Sequence, residues 1–156
     1  MKTDAIPPST GPAQALAERL VATMRSRDRF SEWLGIDLLA VRPGACTVRM
    51  MVRPEMLNGF AVCHGGVTFS LADSALAFAS NTHGRVAVSI ENGISYLVPV
   101  NAGDVLTATA EEEAAGERLA RYRVTVRRGD DTPVAIFRGT VYRTQHHLES
   151  GSPESE

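Results

Sequence analysis

Excess positive charge, cysteine, histidine and long apolar runs are all scarce in this chain. Its 16 basic and 18 acidic residues leave a formal net charge of −2. A nucleic-acid surface usually needs a basic excess, so no nucleic-acid partner is expected. A small phosphorylated ligand needs only a few arginines and stays open. The two cysteines, Cys46 and Cys63, show neither CxxC spacing nor the density of a disulfide framework, which suits reduced thiols. No apolar run reaches the length of a membrane span. The opening segment, MKTDAIPPSTGPAQ, lacks the apolar stretch of a signal peptide. A cytoplasmic protein without membrane association is therefore expected. Two of the four histidines, His146 and His147, sit in a polar, acidic segment with no further ligands nearby, so no metal site is expected.

What is present suits one domain. The chain has 156 residues, 44% of them hydrophobic, enough for a real core. Residues 1–12 hold three prolines and little that is apolar, and residues 145–156 are polar. Both ends are expected to be flexible, leaving a single domain at 13–144. Leu16, Leu20, Val21 and Met24 recur at helical spacing, which predicts an amphipathic helix over 13–29. GIDLLAV and CTVRMMV, separated by RPGA, predict a hairpin. Residues 67–81 contain neither proline nor glycine and are small and apolar on all sides, which predicts a buried helix. Strand patterns follow: VAVSIENGISYLV, with a bulge expected at Gly93, then DVLTATAEEE, RLARYRVTVRR and PVAIFRGTVYRT. The run Glu111 to Glu113 is expected to pair with Arg118, Arg121 or Arg123 across its hairpin. The fold class is α+β with an antiparallel sheet. A sheet covers one side of an all-apolar helix, and a second copy of the chain is the simplest cover for the rest.

The stretch NGFAVCHGGVTFSLADSALAFASN, residues 58–81, contains one acid, Asp73, and no cation within four residues of it. A buried, unpaired carboxylate costs several kcal/mol or gives up its charge. Upstream stand Gly65 and Gly66, where helix-start N–H groups lack partners and the dipole is positive. The two glycines read equally well as a hole for a developing oxyanion or as a device for tight packing. A lone mid-helix Asp is more often structural than catalytic. Beside an oxyanion hole it can take a proton from water or attack a carbonyl. Gly66 and Asp73 lie seven residues apart, ~10 Å along one helix axis. One helix cannot easily bring its own start and its own Asp73 to one carbon, but two antiparallel copies can.

Together, Asn58, Gly59, His64, Gly65, Gly66, Ala72, Asp73 and Asn81 resemble the signature of hotdog-fold acyl-CoA thioesterases, in the branch of the phenylacetate-degradation thioesterase PaaI. The resemblance implies a curled antiparallel sheet of five to six strands wrapped around one long central helix. It implies subunits paired through their sheets as homodimers, commonly homotetramers. It implies Asp73 as general base or nucleophile and the Gly65 amide as the oxyanion donor. Asn58 and His64 would shape the pocket, Ser89 would orient the attacking water, and Gly59 and Gly66 would contact substrate. The substrate would be a small or aromatic acyl-CoA of the phenylacetyl-CoA type, or a medium-chain fatty acyl-CoA. Coenzyme A is then part of the substrate, and no cofactor is implied.

Other readings are less favoured. Cys63 and His64 are adjacent and point apart, so a thiol nucleophile is not expected. Glu91 would share a face with Ser89 as a second carboxylate, but an outward strand residue is the plainer reading. Phe30, Trp33 and Leu34 are expected to pin the N-terminal helix rather than line an acyl pocket. The alternatives in function are an acyl-CoA hydratase or dehydratase of the same fold, or a non-catalytic acyl-CoA-binding protein.

Overall fold

Residues 10–148 are described by the computed structural model. Helix α1, Pro12–Arg25, opens with proline at its first position and buries Ala17, Leu20 and Val21. It is shorter than its apolar spacing predicts. Asp28 ends it by starting a second helix, α2, Arg29–Leu34, whose first turn it caps by accepting from the Ser31 N–H at 2.9 Å. Gly35, at φ 76°, stops α2 in the left-handed conformation that glycine adopts most readily. Leu34 is buried, whereas Phe30 and Trp33 stack on one another in the open.

The hairpin of β1, Asp37–Arg42, and β2, Ala45–Met51, forms as expected. After a short 3₁₀ turn at Pro54–Met56 comes the central helix α3, Gly65–Ser80. It starts two residues before the predicted point because His64 caps it. Asn81 fastens its other end, donating to Ala77 O at 2.9 Å and accepting from the Ala87 N–H at 2.9 Å. Strands β3, Arg85–Tyr96, β4, Val105–Ala115, β5, Leu119–Arg128, and β6, Pro133–His147, complete one sheet.

The sheet has six strands in the order β1-β2-β4-β5-β6-β3, with every neighbouring pair antiparallel. It packs on α3 through inward side chains. Leu71, Ala75, Leu76 and Phe78 meet Val48, Leu106, Tyr122, Val124 and Phe137 in one core. Each fully buried large side chain there contributes about 1.5–3 kcal/mol. Strand β3 pairs only with β6 and leaves its other edge open.

Several expectations change at the edges of this frame. The strand expected to end at Thr144 runs to His147. Arg85 fastens that end by donating to the carbonyls of Thr144 and Arg143 at 2.7 and 2.9 Å. His146 and His147 are exposed there, as expected. Residues 1–9 and 149–156, most of the expected flexible ends, lie outside the described residues. Glu111 pairs with Arg42 at 3.3 Å rather than across its hairpin. Glu112 turns inward, accepting from the Tyr122 hydroxyl at 2.5 Å and meeting His83 at 3.1 Å.

Strand β3 shifts register between Arg85 and Ala87 and again, by a one-residue bulge, between Ser89 and Glu91, but not at Gly93. Residues paired across an antiparallel ladder point to the same side. Ser89 pairs with buried Val141, while Glu91 pairs with Thr140 and Asn92 with buried Gly139. The extra residue therefore reverses the alternation. Ser89, Asn92, Ile94 and Tyr96 face inward, and Glu91 faces out. Glu91 does not share a face with Ser89.

Candidate active site

The loop before α3 is built by its own polar groups. Asn58 Oδ1 accepts from the Phe60 N–H at 2.8 Å and the Val62 N–H at 3.4 Å. Its backbone N–H donates to Val62 O at 2.8 Å. The Cys63 N–H donates to Val100 O at 2.7 Å, and the His64 N–H to Met56 O at 2.9 Å. These bonds deliver His64 to the helix start. The Asn58 Nδ2 group has no partner among the described residues and is free for a ligand. A side chain at Gly59 would meet no atom within 4 Å, so nothing in the fold itself requires glycine there.

Two successive peptide groups at the helix start are held at fixed angles. His64 O accepts from the Val67 N–H at 2.9 Å, which orients the peptide joining His64 to Gly65. The next peptide is held at both ends. The Tyr96 hydroxyl donates to Gly65 O at 2.7 Å, and the Gly66 N–H donates to His64 Nδ1 at 2.9 Å. One donor is left over. The Gly65 N–H has no hydrogen-bond partner among the described residues. Accepting at Nδ1 also places the proton of neutral His64 on Nε2, as an outward donor. Gly65 must stay small, because a Cβ there would lie 2.8 Å from the Tyr96 hydroxyl oxygen.

Gly65 itself lines a cleft of about 360 Å³. Its walls come from the loop (Asn58, Val62), the helix start (Gly65, Thr68) and the segment leaving β3 (Tyr96 through Val100). Cys63 also lines it, but burial raises its thiol pKa, and its sulfur lies near Thr68 Oγ1 at 3.8 Å rather than a base. Burial pushes the Cys46 thiol up to about 12. Neither cysteine is set up as a nucleophile. Phe30 and Trp33 do not line this cleft.

Asp73 is not among the cleft-lining residues. It sits half-buried two turns further along α3, without an ion pair among the described residues. Burial raises its carboxyl pKa above the ordinary value. One hydrogen bond, from Asn92 Nδ2 at 3.0 Å, acts the other way.

The thioesterase superfamily profile matches residues 60–135, from within the loop through α3, β3, β4 and β5 to the start of β6. Acyl-coenzyme A thioesterase PaaI of Escherichia coli is 41% identical over 120 residues, covering 77% of this chain and 86% of that protein. The solved structure of E. coli PaaI superposes with a TM-score of 0.85 at 37% identity, covering 87% of this chain and 99% of that one. This chain belongs to the PaaI family of hotdog-fold acyl-CoA thioesterases. A Streptococcus mutans protein solved with acetyl CoA has the same fold, with a TM-score of 0.68 and 28% identity, covering 70% of this chain and 88% of that one.

In this PaaI-family thioesterase the expected residues fall into two groups on one subunit. Asn58, His64, Gly65 and Gly66 gather at the helix start, while Asp73 and inward-facing Ser89 belong to the middle of α3 and to β3. The Gly66 N–H is already used by His64, so of the two glycine amides only that of Gly65 is open. Asn92 and Tyr96 are the polar neighbours that sequence reasoning missed. Strict alternation from Ala87 assigns both to the outer face, and no residue of β3 announces the bulge that reverses them. In the described residues no helix is long and apolar enough to cross a membrane.

Proposed function

We propose that this thioesterase hydrolyses a small or aromatic acyl-CoA, phenylacetyl-CoA in type, to the free acid and coenzyme A. The reaction takes place at sites shared between two copies of the chain, assembled as a homodimer or homotetramer in the cytoplasm. Residues 13–144 form its single catalytic domain. One observation carries this reading: Gly65, whose N–H has no partner among the described residues, lines a cleft, while Asp73, the half-buried acid, lies two turns away on the same helix. An antiparallel partner helix would bring the missing half to each site.

The chemistry follows from the groups at hand. The Gly65 N–H, on a peptide fixed by its neighbours, donates to the thioester oxygen as negative charge gathers there. A water held by Ser89 loses its proton to Asp73 and bonds to the carbonyl carbon, or the Asp73 carboxylate attacks directly. The tetrahedral centre then collapses, the carbon–sulfur bond breaks, and the thiolate leaves; in the direct route a second water hydrolyses the Asp73 anhydride, and in the other Asp73 returns its proton to solvent or to the thiolate. The raised pKa of Asp73 improves it as a base near neutral pH. Asn58 Nδ2 supplies a further donor at the pocket, His64 Nε2 is an outward donor beside the helix start though outside the cleft lining, and Gly59 and Gly66, also outside it, leave the substrate room. The proposed route draws on no metal or cofactor. A largely apolar wall, with Val62, Leu97, Val98 and Val134, suits a short or ring-bearing acyl group.

Complementation tests the shared site. Gly65→Val and Asp73→Asn are each expected to abolish turnover. Co-expressed, they should recover about a quarter of the parental rate, because half the dimers are mixed and each mixed dimer holds one intact site. Free thiol released from phenylacetyl-CoA measures it. No recovery, with mixed dimers isolated, would place each site within one subunit. Hydration of an enoyl-CoA without thiol release would move the protein to the hydratases. Tyr96→Phe removes one of the bonds fixing the Gly65 carbonyl. It is expected to lower kcat about threefold to tenfold with little change in KM.

A further inference from the structure

Among the described residues the acid of the site has a single hydrogen-bond partner, and that partner is half used. Asn92 Nδ2 donates to Asp73 Oδ1 at 3.0 Å, while Asn92 Oδ1 is buried and has no partner among the described residues. A buried amide oxygen without a hydrogen bond is uncommon and costs about 1–3 kcal/mol. The fold makes space for this arrangement. Gly139 lies directly across the ladder from Asn92, and a Cβ there would stand 2.7 Å from Asn92 Oδ1. The β3 bulge turns Asn92 inward in the first place.

We infer that Asn92 is a positioning residue that serves Asp73 in both of its protonation states, donating to the carboxylate and accepting from the acid. This rests on the reading of Asp73 as the base. While Asp73 is charged, Nδ2 donates to it. Once Asp73 has taken the proton from water, it carries an O–H that needs an acceptor. A half-turn of the Asn92 amide presents Oδ1 to that proton. The turn breaks no bond at Oδ1, because none exists there. It breaks only the Nδ2 bond, which weakens when the carboxylate becomes neutral.

No other charged group on the packed elements does this work. Asp73 is the sole charged residue of α3. Arg49 on β2, Glu91 on β3, Glu111 on β4, Arg123 on β5 and Arg138 on β6 all lie on the outer face of the sheet. Inward-facing Glu112 is taken by Tyr122 and His83, Tyr96 by the Gly65 carbonyl, Arg143 on β6 by the Gly116 carbonyl and Arg128 on β5 by Asp130.

The test follows the titration of the Asp73 carboxyl by carbon NMR, beside the acid limb of kcat against pH. Asn92→Leu keeps the volume but removes the donor. Both the titration and the acid limb are expected to move up by about one pH unit, with kcat down roughly tenfold and KM little changed. Asn92→Asp keeps the shape and places a second carboxylate beside the first. It should move both further up, since two close carboxylates share one proton. It also stands in if the leucine variant fails to fold. An unmoved Asp73 titration in the variants, with only a lower melting temperature, overturns the inference and leaves Asp73 as the base. A titration that moves while the acid limb stays put overturns the reading of Asp73 as the base, and the role of Asn92 with it.

Discussion

Asp73→Asn is expected to hydrolyse acyl-CoA at least about a hundredfold more slowly than the parent while melting at a higher temperature at neutral pH. The loss of rate follows from removing the only carboxylate on α3, with the helix start and the cleft left intact. The gain in stability follows from the direction of its pKa shift. Burial raises the carboxyl pKa in the folded protein above the unfolded value, so the folded state binds more protons between the two. Stability from this group is thus present at low pH and lost as pH rises through the raised folded value. At neutral pH the charged form is the costly one, and the amide variant avoids it. The gap in melting temperature between variant and parent should close as pH falls below the ordinary carboxylate range. Thiol release and thermal melts across pH measure both parts. A variant with full turnover would remove Asp73 from the chemistry, and one less stable than the parent at neutral pH would mean the carboxylate is structurally required.

Gly139→Ala is expected to destabilise the fold by about 1–3 kcal/mol and to slow turnover as well. The added Cβ would stand 2.5 Å from Leu76 Cδ2 on α3 and 2.7 Å from Asn92 Oδ1 on β3. Leu76 is fully buried, so its methyl group has little space to retreat. Asn92 can move, but only by giving up its bond to Asp73. The stability cost and the catalytic cost therefore have different sources. Gly139→Ala should cost less in a Leu76→Ala background than in the parent, because the two changes share one space. Chemical denaturation of the single and double variants measures the coupling. Strict additivity would show that the helix and β6 do not compete for that space.

Much of this architecture is legible in residue patterns. The glycine-flanked hairpin, the proline-free apolar helix and the alternation of Tyr122, Val124 and Val126 each follow from a local period. Gly65, Gly66 and Asp73 also stand out locally, as paired glycines before a helix and as an acid with no cation near it, whereas the His64 cap does not. Where the reading failed, a local cap, a strand bulge or a distant partner had decided the matter. The N-terminal helix broke at Asp28, whose cap competes with helix continuation. Glu112 found Tyr122 and His83 instead of an arginine. Glu91 was read on the face of Ser89, and Asn92 and Tyr96 were passed over, because a one-residue bulge reverses every position beyond it.

By itself the sequence determined that an antiparallel sheet would cover a helix carrying one uncompensated acid, since apolar spacing and charge placement are properties of neighbours along the chain. Only the tertiary structure decided that the Gly65 N–H is the open donor, that Asn92 is the group touching Asp73, and that Gly139 makes space for it. Those facts depend on which atoms of separate strands occupy the same few ångströms. Strand register and steric exclusion set that, and neither is written in any local run of residues.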